Sequence, residues 1–208
     1  MSQGHATKGL MSLGITAPAN GTTEIKRFAI SGDNRLNMRI DCILGKMAIS
    51  GTSTLKLQQS SGLELWTDVK STSSLSASTD KTVTPDYTTG QFTSTSHGYS
   101  DGALVVLNSS GTVPGGLESG LKYYVRVIDA NTFQLSVHQP AGSLPASFSD
   151  NGSGTITTTL CTLVSIALNV EVSGDQAVMP LHPTARLLAI TGASDTVQVM
   201  DIRFGQPY

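Results

Sequence analysis

The chain has 208 residues, a formal net charge of −2 and only 13% charged residues, against about 25% in an average soluble domain. Lys and Arg are scattered singly, so there is no electrostatic footprint for nucleic acid. No apolar run approaches the ~20 residues of a membrane span, and two cysteines are too few for a disulfide scaffold. The missing charge is replaced by Ser, Thr and Gly, the composition of a turn-rich all-β protein with room for one domain or two small ones.

Residues 1–21 show no clean period. Leu10, Met11, Leu13 and Ile15 are isolated apolar points among recurring glycines, which reads either as a frayed terminus or as an extended docking arm anchored on a neighbouring subunit by those four side chains. A basic n-region and an apolar h-region are both missing, so the segment does not read as a secretory signal. Residues 22–30 then alternate, with Ile25, Phe28 and Ile30 toward a core, and 31–34 turn. Leu36, Met38, Ile40 and Cys42 fall on one face of a strand, and strands follow over 47–49, 54–59 and 63–69, with a turn at 60–62. Trp66, the only tryptophan, reads as a core or seam anchor, with sugar stacking as the functional alternative. Residues 70–89 are Ser/Thr-rich and read as a connection.

Between Gln91 and Ser136 the pattern is the most explicit in the chain. Phe92 opens a strand, Ala103 to Leu107 is a buried strand, and Pro114-Gly115-Gly116 turns. Leu121 to Ile128 alternates through Tyr123, Tyr124 and Val125, Asp129-Ala130-Asn131 turns, and 132–137 returns as the hairpin partner. Residues 138–153 are loop-like. The longest β-prone run, 155–172, leads to a turn at 173–175, an apolar stretch at 177–180, and strands over 185–191 and 196–204. The last of these strands predicts Val197, Val199 and Asp201 on one face.

The strands before residue 70 and after 155 are each too few to close a sandwich, and together they suffice. The expected fold is therefore all-β: a discontinuous antiparallel β-sandwich base (22–88 and 150–208), a small inserted β-domain (89–149) and an extended N-terminal arm (1–21). Cys42 and Cys161 both fall in the expected base, which leaves a disulfide geometrically open, although two buried thiols acting as small hydrophobes fit better.

The order Phe92, His97-Gly98-Tyr99, Asp101-Gly102, Pro114 to Leu117, Tyr123-Tyr124-Val125 and Asp129 to Leu135 resembles a small β-module of tailed-bacteriophage structural proteins, found in head-decoration, fibre and tail-associated chains. That resemblance covers about a quarter of the chain. It implies a virion component assembled in the host bacterial cytoplasm, in the leading form a capsid decoration or cement protein. Such a protein binds the major capsid protein and copies of itself, with a homotrimer expected from capsid symmetry. A neck, tail or fibre-base protein is the second reading. A glycan-binding host-attachment module is the third, and would need exposed aromatic residues: Tyr87, Tyr99, Tyr123, Tyr124 and Trp66 are the candidates, and alternation leaves at least one of Tyr123 and Tyr124 exposed.

Chemistry is sparse. None of His5, His97, His138 and His182 has a carboxylate or cysteine at triad or metal spacing, and no nucleophile elbow is present. His97, before a glycine, is expected to hold backbone with a ring nitrogen. Asp129, Asn131, Asp150 and Asn151 are oxygen donors in loops, where turn chemistry explains them better than calcium. The sequence therefore predicts a non-enzyme with no catalytic residues, cofactor or metal, and without nucleic acid or membrane as partner.

Overall fold

The computed structural model describes residues 10–29, 37–60, 65–138, 145–169 and 184–205. No helix occurs among them, and the chain divides into two compact units, Met1–Ala77 with Leu163–Tyr208, and Ser78–Thr162. Ile30, Leu36, the turns expected at 31–34 and 173–175, residues 61 and 62 of the turn expected after Gln59, and the stretch 177–180 lie outside the described residues.

The first unit is a sandwich of two four-stranded antiparallel sheets. One sheet holds, in spatial order, β1 (Leu10–Ala17), β15 (Thr196–Gly205), β3 (Asn37–Ala48) and β13 (Thr162–Asn169). The other holds β2 (Gly21–Ala29), β14 (Thr184–Thr191), β4 (Thr54–Ser60) and β5 (Trp66–Ser71). Alternation along each strand turns one set of side chains between the sheets. Ile40, Cys42, Leu44, Val197 and Val199 from the first sheet meet Ile25, Leu55, Leu57 and Leu187 from the second. A fully buried side chain of this kind contributes about 1.5–3 kcal/mol. Burial raises the Cys42 thiol pKa to about 12, with the neighbouring Asp41 charge adding to the effect.

Two expectations are corrected in this unit. From Leu10 onward the expected arm is β1, whose backbone pairs along β15: Leu10 lies opposite Arg203, Met11 opposite Ile202 and Ile15 opposite Val199. Its glycines and serines hide the strand because the partner strand arrives some 180 residues later. In β15, register shifts around Val199 change the phase of alternation. Val197, Val199 and Ile202 enter the core cluster while Asp201, though buried, leaves that face.

The second unit is one seven-stranded antiparallel sheet: β6 (Asp80–Thr82), β12 (Ile156–Leu160), β9 (Leu104–Ser109), β10 (Lys122–Val127), β11 (Thr132–Ser136), β8 (Gln91–Thr93) and β7 (Thr84–Asp86). Its core gathers Phe92, Tyr99, Val105, Leu107, Tyr123, Val125, Phe133, Leu135, Phe148 and Ile156 on one face. Phe92 stacks on Phe133 with centroids 5.7 Å apart, and Tyr99 meets Phe133 edge-on at 5.4 Å, both favoured aromatic geometries.

This unit is wider than the expected 89–149. Residues 70–89, read as a connection, contribute β6 and β7 at the two edges of the sheet, where short polar strands are common. The run 155–172 belongs to both units. It breaks at Cys161, with β12 paired to β9 and β6 and β13 in the first unit. Cys42 and Cys161 are free thiols, one in each unit.

Loops in both units are braced by buried or turn-bound carboxylates. Asp195, fully buried between β14 and β15, accepts from Ser50 N–H (2.6 Å), Gly51 N–H (3.1 Å), Ser50 Oγ (3.1 Å) and Ser53 Oγ (2.8 Å). The Ser50 amide is the largest of the effects that hold its pKa down to about 2. Asp150 likewise accepts from Gly115 and Gly152 N–H, tying the 110–117 loop to the 148–154 loop. Those loops approach so closely that a Cβ on Gly152, at φ +69°, would stand 2.4 Å from the Thr112 carbonyl oxygen.

Two outcomes follow. Because the folded pKa of Asp195 lies below its ordinary 3.8, its stabilisation is complete above that value and is lost as pH falls toward 2. Asp195→Asn should melt several degrees below the parent at neutral pH, with the gap in melting temperature closing across that acidic window. Gly90, at φ +67° in open space, should tolerate Ala for about 1–2 kcal/mol. Gly152→Ala should cost roughly 3 kcal/mol or more, both read by chemical denaturation.

Candidate functional site

In the second unit the chain around His97 takes an unusual course. Ser96 takes a left-handed φ of +48°, a conformation that a non-glycine residue holds only when its surroundings require it. Here Asn131 Oδ1 accepts the Ser96 N–H at 2.8 Å, and the Ala130 carbonyl accepts the His97 N–H at 3.2 Å. The chain then turns inward, so His97 is only 2% exposed. Its Nδ1 accepts the Tyr99 N–H at 3.0 Å, and its Nε2 lies 2.9 Å from the Asp129 carbonyl. Since Nδ1 must accept from an amide, the proton sits on Nε2, which donates. The expected role of His97, a ring nitrogen bound to backbone, is what the structure shows.

Ser96 to Tyr99 on one side and Val127, Asp129 and Ala130 on the other line a shallow recess of about 250 Å³. Both ring nitrogens of His97 are taken, and the Tyr99 hydroxyl is 2.8 Å from Thr158 Oγ1. Asp129 Oδ1 accepts the Asn131 N–H at 2.7 Å, the chief reason its carboxyl pKa lies below the ordinary value. The recess is a braced turn whose polar groups already have partners.

The expected recognition tyrosines separate. Tyr99 and Tyr123 are core residues, and burial pushes both phenols up in pKa. Their exposure is thereby corrected: Tyr99 closes the aromatic cluster, and Tyr123 lies on the core face of β10 with its hydroxyl oxygen accepting the Glu118 N–H at 2.8 Å. Tyr124, one residue on, lies on the other face and is half-buried. Tyr87, a further candidate for the same role, is exposed at 51%.

Trp66 is neither a core residue nor an open sugar platform. It lies half-buried on β5, with the Arg186 guanidinium 4.1 Å and that of Arg27 5.0 Å from its ring centroid, a cation–π arrangement worth about 0.5–2 kcal/mol. Arg186 Nε also donates to Gln58 (2.8 Å), and Gln58 Nε2 to Asp68 (2.7 Å), so a polar ladder crosses the sheet. Arg27, donating to Glu24, holds that carboxyl below its ordinary pKa.

Of the loop oxygens weighed against calcium, Asp129, Asn131, Asp150 and Asn151 each accept a backbone N–H, the last from Tyr87 at 2.8 Å. Among the described residues no three His, Cys, Asp or Glu side chains converge on one point. Leu10, Met11, Leu13 and Ile15 lie together in β1. No protein-family model, no curated protein and no solved structure matches the chain.

Proposed function

We propose that this chain is a structural component of a tailed-phage particle, in the leading form a capsid decoration protein that docks on the major capsid protein and associates with copies of itself as a trimer. The observation that carries this reading is the state of the base unit's sheet edges. Among the described residues β13 and β5 are each the last strand of their sheet. Leu163 on β13 is 61% exposed, and Leu65, just before β5, is 65% exposed. An edge strand beside exposed apolar side chains is a template for pairing or burial against another chain. In a protein with so little charge, these edges favour assembly over solitary existence.

Support for a phage particle comes from residues 91–136. They supply β9, β10, β11 and β8, which are contiguous in the seven-stranded sheet, so the stretch that resembles phage modules is one structural block. The braced polar groups around His97, Asp129 and Asp150 fit a mechanical role and offer no unspent nucleophile–base pair, which supports reading the chain as a non-enzyme.

Full-length protein mixed with expanded shells that lack it should co-sediment with them and raise their melting temperature. Leu163→Glu, an exposed change, should reduce co-sedimentation while leaving the protein's own melting point within a few degrees. Failure of the parent protein to bind such shells would remove the capsid role.

A further inference from the structure

Each sheet of the base unit ends in two outer strands, and the four differ in charge. One sheet ends in β2, which carries Glu24, Lys26 and Arg27, and in β5, which carries Asp68 and Lys70. Charge along an edge strand deters another chain from pairing with it. The other sheet ends in β1 and β13. Their sequences, LMSLGITA and TLVSIALN, hold no charged residue, and both are eight residues long. Thr16 on β1 and Thr162, Leu163 and Ser165 on β13 are exposed, Leu163 at 61%.

The second unit offers no edge of this kind. β6 and β7 stand at opposite ends of its sheet, yet only Val83 separates them in the chain. β6 pairs with β12 and β7 with β8, while Val83 donates its N–H to the Ile156 carbonyl at 3.0 Å and joins the core. One segment thus closes both ends, the sheet curls into a barrel, and closure removes free edges. Among the described residues, the uncharged outer strands are therefore β1 and β13.

These two strands complement each other. Neighbours in the sheet run antiparallel, so β1 and β13, the first and last of four, point in opposite directions. Copies arranged about an axis along the strands bring β1 of one against β13 of the next as an antiparallel pair, the arrangement that already holds each sheet. The rows across the sheet give the register. Leu10 lies opposite Arg203, Arg203 opposite Asp41, and Asp41 Oδ1 accepts from Ser165 Oγ at 2.6 Å. In the next row Ser12 lies opposite Asp201 and Asp201 opposite Ile43, and Leu163, two residues before Ser165, ends that row. Ser12 of one copy is thus nearest Leu163 of its neighbour. Twofold pairing of β13 with β13 would leave both β1 edges bare. Contact between the two different edges uses all of them and closes into a ring.

We propose that β1 of one copy pairs antiparallel with β13 of the next, so that three copies join their sheets edge to edge in a ring. This rests on the trimer proposed above and names the surface that builds it. Eight residues of strand give about 27 Å of shared ladder, and the exposed Leu163 is covered along it.

The test begins with light scattering on the full chain, which should show a trimer. Ser12→Cys and Leu163→Cys are then made singly and together, each with Cys161→Ser to remove the neighbouring thiol. Treated with a short bismaleimide, the double variant should give covalent trimers and each single variant no crosslinked product. Ser12→Lys and Leu163→Glu should each weaken trimerisation by at least about tenfold, because each puts an unpaired charge in the contact. Combined in one chain, they set opposite charges across every contact and should restore it. Melting curves check that each variant is folded. A trimer that yields no covalent product and is indifferent to these charges overturns the pairing and leaves the trimer standing. Covalent dimers from Leu163→Cys alone overturn it in favour of a twofold contact. A parent protein that stays monomeric yet co-sediments with shells gives these edges to the capsid protein, which overturns the pairing and leaves the capsid role standing.

Discussion

The register of β10 between β9 and β11 decides which side chains of the inserted unit are core and which are surface. Tyr123 pairs with Val105, and Val125 with Leu135, which closes an aromatic and aliphatic cluster on one side of the sheet. A slip of one residue would move that whole set to the opposite face and turn Lys122, Tyr124 and Arg126 toward the core instead, at a desolvation cost. Phe92, Phe133 and Tyr99 then have only one arrangement in which their rings meet. The second face, with its line of cation, ring and cation, is the necessary complement of that core.

Polar groups do a different job in this chain from the one usually sought in them. Asp195, Asp150, Asp129 and Asp86 are turned back onto loop amides and hydroxyls, and His97 joins two backbone segments. In an all-β protein with long connections, each buried or turning backbone N–H needs an acceptor. With few charged residues to draw on, these carboxylates serve that need. Their lowered pKa values are the electrostatic trace of this bracing, which is why perturbed titration here marks architecture.

Much of the fold was legible locally. The alternation of Ile40 and Cys42, the hairpin across 129–131 and the apolar run 103–107, buried from Val105 to Leu107, all depend on neighbours in sequence, and each forms close to where the pattern puts it. What was hidden depends on distant partners. β1 looks like a tail because its partner strand is β15. β6 and β7 look like linker because short edge strands need little hydrophobicity. The run 155–172 carries no Gly or Pro near Cys161 to mark its division between units, and the bulge in β15 alters the faces without altering composition. Of the expected recognition residues, alternation correctly put Tyr123 and Tyr124 on opposite sides but could not say which was outside. Tyr99 follows no strand period, so its burial emerges only with the turn held by Asn131.

The most direct test of this account is the reactivity of individual tyrosines in the native protein, mapped by mass spectrometry after brief nitration with tetranitromethane. Tyr87 and Tyr124 should be modified well ahead of Tyr99 and Tyr123, whose buried phenols resist ionisation. Modification of Tyr123 as fast as Tyr124 would mean that the two faces of the sheet are not assigned as described, and the core and the surface built on them would both fail.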